Sequence, residues 1–104
     1  MVKKIKTEEF DKLLKGDKPV VCDFFADWCG PCKMLAPVID ECSEQYADKA
    51  VFVKVNVDES PDLASRYGIM AIPFIGVFVG GNLADKSVGY SAKDELEKFL
   101  EKNV

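Results

Sequence analysis

The chain has no histidine, a single tryptophan, and no apolar run near the roughly twenty residues that a membrane-spanning helix needs. Without histidine, imidazole-based catalysis and the commonest nitrogen ligand for a metal are both excluded. Cysteine is sparse as well. The four present, Cys22, Cys29, Cys32 and Cys42, include only one closely spaced pair, so a four-cysteine zinc site lacks the two pairs it ordinarily uses. Positive charge is never concentrated: 14 Lys and Arg stand against 18 Asp and Glu, a net charge of −4 spread without blocks. That distribution argues against nucleic acid and anionic membrane as partners. Repeats, low-complexity segments and linkers are absent. Met1 to Lys6 contain no apolar stretch of signal-peptide length, so the expected compartment is the reducing cytoplasm. There an isolated Cys-x-x-Cys is more often catalytic than structural.

What is present describes one domain over residues 1–104, expected to act as a monomer, with 48% apolar and 31% charged residues. Its organising stretch is Trp28-Cys29-Gly30-Pro31-Cys32-Lys33. An apolar segment, Pro19 to Phe25, precedes it, and a helical pattern from Met34 to Ala47 follows. A strand thus feeds a tight turn that opens a helix. Pro31 suits the first helical position, because its missing N–H would have no partner there and its φ is already set. Cys29 is then placed at the helix N-terminus, where unpaired N–H groups and the macrodipole favour an anion. That field is worth ~0.3–2 kcal/mol, enough to lower a thiol by up to about one pH unit from ~8.5. Cys32 follows one turn later on the same face, within reach of a disulfide. The pattern reads as a dithiol that opens and closes; a pair of small buried residues or half of a metal site is the alternative.

Elsewhere the periodicities alternate. Val2 to Ile5 reads as an edge strand. Thr7 is placed as an N-cap before a stripe of Phe10, Leu13 and Leu14, with Gly16 ending that helix. Val20 to Phe25 is apolar on both faces, as expected of a strand covered on both sides. The long helix carries Leu35, Val38, Ile39, Cys42 and Tyr46 inward and has Pro37 in its interior. Val51 to Val57 completes a parallel βαβ unit. A short helix through Leu63, Ala64 and Tyr67 stops at Gly68. Ile72-Pro73 leads into a strand over Phe74 to Val79, Gly80-Gly81-Asn82 turns it, and Leu83 to Val88 returns antiparallel. Ser91 is placed as the cap of a last helix with Leu96, Phe99 and Leu100 inward, and Asp94 as part of a capping box. The class is α/β: a central mixed sheet of about five strands flanked by four helices.

Asp23 is the most unusual residue of the second strand, since its apolar neighbours imply burial, and a buried carboxyl has a raised pKa. Lys54 alternates with valines and by itself reads as an exposed strand lysine. Trp28 by itself reads almost equally as a partly buried core aromatic or as a docking residue. Cys22 falls on the face opposite Asp23 and Cys42 on an apolar stripe; both read as inert core thiols.

The segments Val21 to Met34, Ala36-Pro37, Lys54 to Asp58, Tyr67-Gly68-Ile69, Ile72-Pro73 and Val88-Gly89 resemble the thioredoxin family over essentially the whole chain. A Cys-Gly-Pro-Cys centre preceded by Trp is specific to it, because glutaredoxins and protein disulfide isomerases usually carry Tyr or His between the cysteines. The resemblance implies the thioredoxin fold and a protein-disulfide reductase with no added cofactor beyond the Cys29–Cys32 disulfide. It implies Cys29 as nucleophile, Cys32 as resolving thiol, Asp23 as proton acceptor and Lys54 as its partner. Gly30 and Pro31 would tune the redox potential. Trp28, Ala71, Ile72, a cis Pro73 and Gly89 would form a platform for clients, and a thioredoxin reductase would return the electrons. Three departures stand out: Phe25 where a second Trp is common, Phe74 where a small polar residue is common, and Met70-Ala71 in place of a basic or small pair. They are expected to make the surroundings of the dithiol more apolar. A non-catalytic binding module using the same platform is the competing reading.

Overall fold

The computed structural model describes residues 2–104. Their elements run β1 (Lys3–Lys4), α1 (Thr7–Leu14), β2 (Val20–Phe25), α2 (Gly30–Gln45), β3 (Val51–Asn56), α3 (Pro61–Arg66), β4 (Phe74–Val79), β5 (Asn82–Val88) and α4 (Lys93–Asn103). The five strands form one sheet in the order β1-β3-β2-β4-β5. β1 and β2 lie parallel to β3, whereas β4 runs antiparallel to β2 and β5 antiparallel to β4. This is the mixed, five-stranded, four-helix arrangement expected from the alternation of periods.

Each face of the sheet carries its own core. Phe10 of α1 and Leu63 of α3 pack with Val20, Cys22, Phe24 and Phe78 on one face. Leu35, Ile39 and Cys42 of α2 and Leu96 and Leu100 of α4 pack with Val21 and Ile75 on the other. Alternate residues of β2 therefore serve opposite cores, which is why that strand is apolar on both faces apart from Asp23. The register then gathers one end of the sheet. Phe25 pairs with Asn56, Phe24 with Phe74, and Phe74 with Val88. The C-terminal ends of β2, β3 and β5 thus meet the start of β4 at a single edge, and the loops leaving that edge build the site.

Several local expectations change. β1 is shorter than Val2 to Ile5, although both of those side chains are buried and the Ile5 N–H still donates to the Lys54 carbonyl at 2.9 Å. Thr7 does not cap α1: Lys6 holds that position, and the Thr7 hydroxyl donates instead to Asp62 Oδ1 at 2.9 Å, tying α1 to α3. Ser91 does not cap α4; Ala92 does, with no side-chain cap bond, so no capping box forms with Asp94. The start of α2 is as expected: the helix begins at Gly30, the Cys29 side chain supplies the cap and Pro31 fits the first turn. At the β4–β5 hairpin, Gly80 and Gly81 take φ of 60° and 84°, a left-handed pair that side chains resist and that suits a two-residue hairpin.

Candidate active site

Cys29 and Cys32 are joined as a disulfide with Cα atoms 5.3 Å apart. Cys29 is the N-cap of α2, and its Sγ accepts the Cys32 backbone N–H at 3.2 Å. The sulfur thus sits against one of the orphan donors of a helix start, where added negative charge is favoured. The other side of the Cys29 sulfur lies 3.9 Å from the Ile72 carbonyl oxygen. Ala26 packs beneath the pair, with Phe25, Val57 and Ile72 around it. Gly30 and Pro31 are exposed between the cysteines.

The rim comes from three loops. Trp28 is 71% exposed, which removes the reading of a core aromatic. Its indole N–H donates to Asp58 Oδ2 at 2.9 Å, and the Asp58 backbone N–H donates to the side chain of buried Asn56 at 2.8 Å. The ring is therefore held in a fixed attitude beside the dithiol although little packs on it. The Ile72–Pro73 peptide is cis, and the Gly89 N–H donates to the Pro73 carbonyl at 2.8 Å. Ala71 and Ile72 lead into that turn, and Gly89 takes φ 91°.

Beneath the dithiol lies the buried carboxyl. Asp23 is 3% exposed, and no group of the described residues donates to its Oδ1. Burial pushes its pKa from 3.8 to about 7; the Lys54 ammonium pulls it down, and Asp40 adds a smaller push upward. Asp23 pairs with Lys54 in the β2–β3 register. A cavity of about 300 Å³ opens onto Asp23, Asp27, Cys32 and Lys54, so the carboxyl and the second sulfur share one space. Lys54 is half-buried rather than a fully exposed strand lysine.

The Thioredoxin family model matches residues 1–102. The thioredoxin of Alicyclobacillus acidocaldarius is 49% identical over 91 residues, covering 88% of this chain and 87% of that protein. Thioredoxin 1 of a Nostoc species is 50% identical over 93 residues, covering 89% and 87%. The thioredoxin of Rickettsia prowazekii is 42% identical across the full length of both chains. The chain belongs to the thioredoxin family. It is a thiol–disulfide oxidoreductase, and its redox centre is the chain's own Cys29–Cys32 pair rather than an added cofactor.

Among thioredoxins, the three departures of this sequence occupy different places. Phe25 is half-buried and packs against the dithiol cluster, as expected. Phe74 does not line the platform. It is 4% exposed and meets Phe24 edge-on at 5.7 Å inside the α1–α3 core, because the side chain after Pro73 alternates to that face. Met70 is 98% exposed at the approach to the cis turn. Cys22 and Cys42 lie on opposite faces of the sheet, and burial pushes both thiols above their ordinary range. Sequence reading did not single out Asp58. The available signal was its place just beyond β3, since parallel pairing sets the ends of β2 and β3 side by side.

Proposed function

We propose that this chain acts as one thioredoxin domain that reduces disulfides of client proteins in a reducing cytoplasm and is recharged by a thioredoxin reductase. Cys29 thiolate attacks one sulfur of a client disulfide, forming a mixed disulfide and expelling the other client sulfur as thiolate. Asp23, as carboxylate, takes the proton of the Cys32 thiol. The Cys32 thiolate then attacks Cys29 Sγ, the mixed disulfide breaks, and the second client sulfur leaves. Two electrons have passed to the client, and the Cys29–Cys32 disulfide remains for the reductase.

The observation that carries this reading is the cavity shared by Asp23 and Cys32 at the start of the helix that Cys29 caps. A carboxyl with its pKa near 7 is poised to accept and return a proton at neutral pH. Lys54 is its charge partner. Gly30 and Pro31 set the turn and remove an amide N–H, tuning the potential. Trp28, Ala71, Ile72, Pro73 and Gly89 form the platform, on which an extended client segment pairs with backbone groups beside the cis turn.

Reduction of insulin disulfides with dithiothreitol as electron donor tests the assignment. Cys29→Ser abolishes the catalysed rate, whereas Cys32→Ser accumulates a mixed disulfide with the client. Equal activity in the Cys29 variant would defeat catalysis by this pair and leave a binding module.

A further inference from the structure

Lys54 Nζ lies 5.5 Å from the centroid of the Phe25 ring, within the range at which an ammonium is attracted to an aromatic face. Among the described residues no carboxylate comes within ion-pair distance of that amine. The ammonium therefore stands near Asp23 without being tied to it, and its holder is an uncharged ring. The geometry follows from the sheet. Asp23 and Phe25 are two residues apart on one face of β2, and Lys54 is the β3 partner of Asp23, diagonal to Phe25. All three line the same cavity beside Cys32.

We propose that Phe25 is a positioning residue for Lys54, its ring holding the ammonium over the mouth of the Asp23 cavity and so setting the charge that Asp23 meets. This rests on the reading of Asp23 as proton acceptor and adds the group that arranges its partner. The other charged or titratable groups around Asp23 are Asp27 before α2 and Cys32, Lys33 and Asp40 on α2; from β4 it faces Ile75, which is apolar. Lys54 is the only cation that β3 turns toward this cavity, so displacing it leaves Asp23 with burial and the push of Asp40.

The test is the titration of the Asp23 carboxyl carbon by NMR in the oxidised protein. Phe25→Leu keeps an apolar wall but removes the π face; the freed ammonium extends to solvent, and the Asp23 midpoint rises by roughly half a pH unit. Phe25→Trp restores the midpoint. Trifluorophenylalanine at position 25, which keeps the ring's shape and weakens its negative face, shifts it in the same direction as leucine even where the leucine variant folds poorly. In a Lys54→Met background, Phe25→Leu produces no further shift. An unchanged midpoint in the leucine and trifluorophenylalanine proteins, or an equal shift with and without Lys54, overturns the proposal, because the ring then acts only through burial. Failure of the underlying reading looks different: the midpoints move as described, yet the pH profile of Cys32-dependent client release does not follow them.

Discussion

Asp23 concentrates the conflict between stability and chemistry at a single residue. Inside β2 it is 3% exposed and its Oδ1 has no donor among the described residues, so its charge is costly to hold. The folded protein keeps the Asp23 proton up to about pH 7, whereas an ordinary aspartate releases it near 3.8. Between those values the folded state binds more protons than the unfolded one. Its contribution to stability is therefore present in full below the lower value and is lost as pH rises through the upper one. Asp23→Asn removes that dependence. Urea denaturation from pH 4 to pH 8 should show the variant gaining on the parent as pH rises, by at most ~4 kcal/mol, and levelling off above neutrality. A gap that does not vary with pH would mean the carboxyl is already ionised at pH 4.

At the scale of elements, β4 shows how closely the sheet is fitted. A Cβ on Gly76 would lie 2.8 Å from Phe78 Cε1 and 3.1 Å from Leu83 Cδ1. The Phe78 ring cannot withdraw easily, since it meets Phe10 edge-on at 5.1 Å and Tyr67 at 5.0 Å. Gly76 faces Cys22 across β2 and sits one residue before the bulge at Val77 and Phe78. Gly76→Ala should cost about 1–3 kcal/mol by overpacking. Thermal unfolding reads the loss directly, and an unchanged midpoint would show that the ring cluster relaxes freely.

Across the whole molecule, two cores share one sheet, and the site lies at the edge where both end. Phe10 links α1 to that arrangement through edge contacts with Phe24, Tyr67 and Phe78. Phe10→Ala should cost about 3–5 kcal/mol and lower the chemical-denaturation midpoint of both faces together. Far-ultraviolet dichroism and Trp28 fluorescence, which report on different regions, should still give coincident transitions. Separated transitions would mean that the α1–α3 face unfolds by itself. By contrast, the paired Arg66 and Asp11 are both exposed, and loss of that ion pair should hardly move the midpoint.

Periodicity, turn chemistry and the Cys-Gly-Pro-Cys segment were enough to place the strands, the helices and the dithiol, because each depends on neighbours within about one turn of chain. They also marked Asp23 as buried, since the run Val20 to Phe25 admits no wet face. The expected cap at Thr7 fails because its hydroxyl reaches across to Asp62, and no local pattern records that, while at Ser91 the helix simply starts one residue later, after Ala92. The indole bond to Asp58, the interior course of Phe74 and the seat of Lys54 on Phe25 were likewise invisible in the sequence. Each joins residues from separate strands or loops, and only the pairing register decides which of them meet. What the chain sets locally is the capped sulfur at the helix start; what surrounds that sulfur is decided when three strands end at one edge.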